Sequence, residues 1–395
     1  MAEKLPGSAV RPLWEAIEAV VWTNTQRVLA AFTESGLQTV DLRGTTGYGY
    51  QDRGRERLDA IYARVFEAEA AMVRLQWVSG THALATVLKA LLLPGDELWV
   101  AGQAVYDTLT TLLQDSAHPQ GLLRRGVQVR FLPPDQWPEA GTGPKVVYIQ
   151  RSRGYQGQVT WTRKTLEPVI AAAHRLGALV VVDNCYGEFT EEQEPTAYGA
   201  DLAVGSLIKN PGGGLAPTGA YVAGRQTLVE AVADYFFAPG LGREVGPTLD
   251  LLTPMAQGLF LAPAAVGEAL MGAAYLRHRF VQAGYAVDPL PAEGLAEMVT
   301  ALTLGSRGAV ERFCRVVQAA SPVDSQAVPE GWEMPGYPDP VIMAAGTFVA
   351  GASLELTCDA PLRPPYRVYV QGGLSRWHTV AVTEKALAHL AEIRE

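Results

Sequence analysis

The sequence predicts an α/β protein whose mainly parallel sheet carries helices on both faces. Three observations lead there. Short apolar runs at 97–101, 146–150, 178–182 and 202–205 have strand length. Segments of helical period, such as 81–93 and 165–176, lie between them. At 395 residues the chain exceeds one ordinary domain, so two or three domains with a substantial core are expected.

The elements follow in order. Apolar residues recur at helical spacing over 13–33, with polar Glu, Asn and Gln between them. A glycine-rich stretch, Gly44-Thr45-Thr46-Gly47-Tyr48-Gly49-Tyr50, leads into a second helix over 55–69. The strand–helix alternation then runs to 205, and 221–224 reads as an antiparallel addition to the sheet. A helix over 262–283 precedes a Pro- and Gly-rich segment at 284–291, the expected domain boundary. Beyond it, strands are expected at 353–357 and 368–370 and helices at 309–320 and 382–394. The expected division is an N-terminal helical segment 1–45, a large domain 46–284 and a small C-terminal domain 285–395.

Composition excludes several classes. The apolar fraction of 48% and charged fraction of 18% are those of a compact, ordered protein. The net charge of −9 contains no basic run, which argues against nucleic acid or an anionic membrane as partner. Cys185, Cys314 and Cys358 show no CxxC spacing and read as reduced thiols of a cytosolic protein. Residues 1–14 lack the apolar region of a signal peptide, and no apolar stretch approaches bilayer length, so a cytoplasmic protein is expected. No metal site is expected.

Three motifs carry chemistry. In Val180-Val181-Val182-Asp183-Asn184 an apolar strand ends in a carboxylate, where open α/β sheets bind ligands. The same residue type also serves as a turn or cap residue. In Gly205-Ser206-Leu207-Ile208-Lys209-Asn210-Pro211-Gly212-Gly213-Gly214 the next strand closes on a lysine, the side chain that forms Schiff bases with carbonyl compounds. The glycines behind it let the backbone approach a bound group. In Val78-Ser79-Gly80-Thr81-His82-Ala83, Ser79 caps a helix start whose free N–H groups face an anion, although Ser-Gly-Thr also makes an ordinary cap. No P-loop motif is present. An anion site at a helix start, an acid at a strand end and a lysine after the following strand are what pyridoxal 5′-phosphate (PLP) requires. Its phosphate takes a helix N-terminus, its ring nitrogen a carboxylate and its aldehyde an amine.

At these residues the sequence resembles the Cys/Met-metabolism branch of PLP enzymes, most closely the methionine gamma-lyase or aluminium resistance protein family. The matching stretches are TTGYGYQDRGRERLDAIYARVF, VSGTHA, VYIQRSRGY, VVDNCYGEF, GSLIKNPGGGLAPTGAYVAGR, SPVDS, MPGY, IMAAGTF and VYVQGGL, spanning Thr45 to Leu374. The resemblance implies PLP-dependent transferase fold type I, aspartate-aminotransferase-like, with a large, mainly parallel seven-stranded sheet domain and a smaller C-terminal α+β domain. It implies a homo-oligomer, dimer or tetramer, with active sites shared between subunits.

Carried over by position, Lys209 would be the Schiff-base lysine and proton shuttle, and Asp183 the partner of the ring nitrogen. Ser79, Gly80, Thr81 and Ser206 would hold the phosphate. Tyr106 stands where the branch has a tyrosine stacked on the cofactor ring. Tyr50 stands where it has one reaching the neighbouring subunit's phosphate. The arginine that accompanies that tyrosine is displaced: Asp52 occupies its position, with Arg53 and Arg55 nearby. Where better-known lyases have an asparagine, this chain reads Gln150-Arg151-Ser152-Arg153-Gly154-Tyr155, so Arg151 and Arg153 would add positive charge near cofactor or substrate. The arginine for the substrate α-carboxylate falls among Arg363, Arg367 and Arg376, with Arg363 favoured by the Pro361-Leu362-Arg363-Pro364-Pro365-Tyr366 context. Cys185 and His82 read as packing groups.

The leading functional reading is a carbon–sulfur lyase acting on a sulfur-containing amino acid. A β/γ-replacement synthase and an aminotransferase share the same apparatus. A non-catalytic sensor of PLP or amino acid belongs to a different class.

Overall fold

The computed structural model describes residues 6–154, 160–334 and 337–392. The chain forms two compact units, Asn24–Phe260 and Met1–Thr23 with Leu261–Glu395. These differ from the divisions expected at 45/46 and 284/285. Both divisions fall inside long helices, α1 (Arg11–Ser35) and α7 (Leu252–Gln282), where no loop composition marks them. The Pro- and Gly-rich segment at 284–291 instead follows the end of α7 and contains a short strand, β8 (Ala286–Asp288).

The unit Asn24–Phe260 is built on seven strands: β1 (Ala70–Arg74), β2 (Glu97–Val100), β3 (Gln128–Phe131), β4 (Val146–Gln150), β5 (Leu179–Asp183), β6 (Leu202–Ser206) and β7 (Ala220–Gly224). Their spatial order is β1-β7-β6-β5-β4-β2-β3. Strands β3, β2, β4, β5 and β6 are parallel, and β7 is antiparallel to both β6 and β1, as the sequence predicts for 221–224. The connecting helices are α2 (Arg53–Val65), α3 (Gly80–Leu91), α4 (Asp107–Gln114), α5 (Arg163–Arg175) and α6 (Gln226–Phe236).

The central strands read as unbroken apolar runs because both faces are covered. On β4, Val146 and Tyr148 join one core with Leu84, Val87 and Val204, while Val147 and Ile149 join a second with Leu166 and Ile170. The edge strand β3 is Gln-Val-Arg-Phe, with Gln128 and Arg130 exposed, and carries too little apolar character to be read from sequence.

The other unit contains a five-stranded antiparallel sheet in the order β10 (Val341–Ala345), β11 (Thr357–Pro361), β12 (Arg367–Gln371), β9 (Thr300–Thr303), β8. Helices α8 (Arg307–Ala319) and α9 (Arg376–Ala391) belong to the same unit. The strand expected at 353–357 shares only Thr357 with β11. The preceding residues are buried without pairing, because the Glu355 carboxylate accepts the backbone N–H groups of Phe348 (2.9 Å) and Val349 (3.1 Å) and so anchors a loop.

Helix α7 corrects a further expectation: by length and composition it is long and apolar enough to cross a bilayer. In this protein 72% of that apolar window is buried, the pattern of a core helix. Tyr155, Pro335, Gly336 and Arg394 of the sequence motifs lie outside the described residues.

Candidate active site at the carboxyl ends of the parallel strands

Strands β4 and β5 end in register, with Gln150 opposite Asp183, and Asp183 is in turn opposite Val204 of β6. Asp183 is buried. Its Oδ2 accepts the Tyr148 hydroxyl at 3.0 Å and its Oδ1 the Cys185 backbone N–H at 3.1 Å. Burial raises the carboxyl's affinity for a proton, opposed by Lys209's charge and by the hydrogen bonds from Cys185 and Tyr148. Asp183 is thus a firmly oriented acid rather than a flexible turn residue.

Helix α3 starts beside this acid. Ser79 caps it, its Oγ accepting the His82 N–H at 3.1 Å. The N–H groups of Gly80 and Thr81 have no intrahelical acceptor, as first-turn donors. A Cβ at Gly80 would lie 3.1 Å from Cys185 Sγ and 3.3 Å from Ser206 Cβ, so glycine lets the helix start come this close to the strand ends. Ser206 Oγ is buried without a hydrogen-bond partner among the described residues. A buried hydroxyl in that state costs free energy unless a ligand completes it. The Thr81 and Thr108 hydroxyls lie 2.7 Å apart and join the starts of α3 and α4.

Lys209 follows β6 and is partly exposed. Its ammonium makes no hydrogen bond or ion pair among the described residues. Two aromatic rings flank it instead, with centroids 4.0 Å (Tyr186) and 5.8 Å (Tyr106) from Nζ. Burial disfavours the charge, but the acidic groups Tyr186, Cys185, Asp183 and Glu188 outweigh burial and hold its proton affinity above that of an ordinary lysine. Tyr106 stands at the N-cap of α4, fixed by its backbone N–H donating to Gln150 Oε1 at 2.6 Å.

Most of the remaining residues singled out in the sequence already have partners of their own. Arg151 does not supply free charge to the site. It is buried, paired with Glu191 at 2.6 Å, and donates to Asn184 Oδ1 (2.8 Å) and the Gly187 carbonyl (2.9 Å), clamping the turn after β5. Arg153 is buried in the loop after β4. Tyr50 is more than half exposed and stacks on Tyr48 with centroids 5.4 Å apart, and the exposed Arg53 pairs with Asp41 at 3.2 Å. Their loop is held by the buried Arg55, which donates to the carbonyls of Gly49 (2.6 Å), Gly246 and Glu244 (3.1 Å each). In the other unit, Arg363 pairs with Asp339 at 2.6 Å, Arg376 with Glu18 and Glu268 (3.1 and 3.6 Å), and Arg367 donates to Thr303 Oγ1 at 3.3 Å. Cys185 and His82 behave as packing groups. The Cys185 thiol is buried and pushed well up by burial, and the His82 ring packs edge-on against Phe236.

Tyr148, Tyr186 and Glu188 do not stand out in the sequence. The strand period of two was the available signal for Tyr148, which shares its face with Gln150 one register step from Asp183. Glu188 is fully buried, accepts the Tyr221 hydroxyl at 2.9 Å, and has its proton affinity raised well above normal, chiefly by burial. A single turn, VVDNCYGEF, therefore supplies four of the groups around the lysine.

An oriented buried carboxyl, an amine between two aromatic rings without an ion pair among the described residues, and a donor-lined helix start thus sit on the seven-stranded sheet of an α/β protein. The chain belongs to the methionine gamma-lyase family, matched over residues 4–391. A Bacillus subtilis (strain 168) protein, YnbB, is 40% identical over 375 residues, covering 92% of this chain and 89% of its own. L-methionine gamma-lyase of Pseudomonas putida is 30% identical over 188 residues, 47% of this chain and 45% of that enzyme. A carbon–sulfur lyase involved in aluminium resistance from Clostridium novyi NT superposes with a TM-score of 0.89 at 35% identity, covering 98% of this chain and 94% of that one. The family implies PLP as cofactor.

Proposed function

We propose that this protein is a cytoplasmic, PLP-dependent carbon–sulfur lyase of fold type I that cleaves a sulfur-containing amino acid such as methionine or cystathionine. The observation that carries the reading is the Lys209 amine, without an ion pair among the described residues, lying 4.0 Å from the Tyr186 ring centroid and within electrostatic reach of the buried Asp183 carboxyl. The residues fit the cofactor. Ser206 Oγ, unpartnered and buried, and the N–H groups of Gly80 and Thr81 offer donors to its phosphate. Ser79, whose oxygen accepts from His82, keeps its own proton to give. Asp183 would keep the ring nitrogen protonated, and Lys209 would hold the aldehyde.

PLP, when bound, supplies an electron sink for charge developing at the substrate's α-carbon. Everything else falls to the chain. Lys209 Nζ takes the α-proton and returns it, Asp183 holds the ring nitrogen's proton, and the Tyr106 ring covers the site beside Nζ. Loss of the thiol at the β- or γ-carbon, followed by hydrolysis that consumes one water, then yields an α-keto acid and ammonia. The test is to incubate purified protein with L-methionine, L-cysteine and L-cystathionine and assay keto acid, ammonia and thiol. Thiol released without free ammonia would favour a replacement synthase, and an amino group passed to an added keto acid an aminotransferase.

For the substrate's α-carboxylate we propose Arg367 over Arg363. Asp339 already engages the Arg363 guanidinium, two carboxylates engage Arg376, and Arg367 has no carboxylate partner among the described residues. Arg367→Lys loses the two-pronged contact and is expected to raise KM about tenfold to a hundredfold with cofactor content unchanged. Arg363→Lys is expected to stay within about threefold. A reversed pattern in steady-state kinetics would return the role to Arg363.

We also propose that Tyr50 and Arg53, both exposed, complete the site of a second subunit in a dimer or tetramer. A Tyr50→Ala, Arg53→Ala double variant and Lys209→Ala should each be inactive. Mixed and reassembled, they should recover about a quarter of wild-type activity, since half the dimers hold one intact site. No recovery despite verified subunit exchange would place the loop on its own subunit.

A further inference from the structure

The turn after β5 holds a residue in a conformation its side chain does not favour. Tyr186 has φ of 70°, the left-handed region that an L-residue with a bulky side chain enters only at a steric cost. The conformation is imposed from both sides. Asp183 Oδ1 receives the Cys185 N–H, the Asn184 carbonyl receives the Gly187 N–H at 2.7 Å, and Arg151 binds both the Asn184 side chain and the Gly187 carbonyl. Gly187 must be glycine, because a Cβ there would lie 2.5 Å from Arg151 Cδ. The turn therefore presents one aromatic ring, and that ring's centroid lies 4.0 Å from Lys209 Nζ, closer than Tyr106 at 5.8 Å.

We propose that Tyr186 is a positioning residue that docks the Lys209 ammonium on its ring face each time the lysine leaves the cofactor. This rests on the reading of Lys209 as the cofactor lysine. When an amino-acid ammonium takes the lysine's place, a carbon–nitrogen bond to the incoming nitrogen forms. The bond to Lys209 breaks, and the proton brought in by the amino acid ends on Nζ. The released group is then a cation without an ion pair or hydrogen bond among the described residues. An aromatic face supplies the missing stabilisation. The dock also keeps Nζ beside the site, ready to collect the α-proton, rather than free to swing into solvent.

The test uses the holoenzyme titrated with 2-aminoisobutyrate, which has no α-proton and no sulfur and so stops after displacing the lysine. Borohydride quenching followed by mass spectrometry gives the fraction of cofactor on the Lys209 peptide and on the added amino acid. Tyr186→Leu and Tyr186→Gly are expected to raise the concentration for half-displacement about fivefold to tenfold, and Tyr186→Phe, which keeps the ring, to stay within about twofold. Tyr186→Gly relieves the left-handed backbone, so its thermal stability should match or exceed wild type, separating docking from folding. Unchanged half-displacement in the Leu and Gly variants, or failure of Phe to restore it, would overturn the dock while leaving Lys209's role intact. A wild-type adduct on another lysine would overturn the underlying reading instead.

Discussion

Lys209→Ala is expected to give a folded but colourless protein without detectable turnover. The side chain lies partly exposed at the end of β6, makes no hydrogen bond or ion pair among the described residues, and so supports little of the fold. Two functions leave with it: the amine that would hold the cofactor aldehyde and the base that would move the α-proton. Positioned proton transfer alone contributes about a hundredfold to ten-thousandfold, and removing covalent attachment adds to that loss. Visible absorbance of the purified variant and a keto-acid assay check both losses. Wild-type colour in Lys209→Ala would move the attachment to another residue.

Asp183→Asn is expected to retain the fold and lose about a hundredfold to a thousandfold in kcat, as for removal of one preorganised electrostatic group. Asparagine keeps the shape and can still meet the Tyr148 hydroxyl and the Cys185 N–H. It cannot hold a proton on a ring nitrogen by opposite charge. The sign of the stability effect separates this from misfolding. Burial raises the carboxyl's pKa in the folded protein, so the ionised form is disfavoured relative to the unfolded chain. The protonated carboxyl costs the fold nothing below the unfolded carboxylate's pKa, and stability is lost as pH rises from there through the raised pKa of the folded state. Asparagine removes the loss, and at neutral pH the variant should melt no lower than wild type. Near-normal kcat would reduce Asp183 to an architectural role.

What was legible in the sequence follows from which residues are covered on both sides. β4, β5 and β6 are buried on both faces, read as apolar runs, and end on the residues that form the cluster. β1 was hidden because Ala-Ala-Met-Val-Arg continues the apolar content of the preceding helix, and β11 because Asp359 and Pro361 interrupt its apolar character. Lys209, Asp183, Gly80 and Ser206 stood out because chemistry restricts their types, and Gly80 and Ser206 are packed against one another. Tyr186 and Glu188 did not, since a Tyr or Glu in a turn has many ordinary uses. Their meaning lies in a backbone angle and in complete burial, neither of which residue order displays.

The proposed chemistry requires the cofactor to be attached at Lys209. Reduction of the purified wild-type protein with borohydride, digestion and peptide mass mapping tests it most directly. A phosphopyridoxyl mass is expected on Lys209 and on no other lysine. A stable adduct on a different lysine would contradict it, as would a yellow protein that yields no lysine adduct.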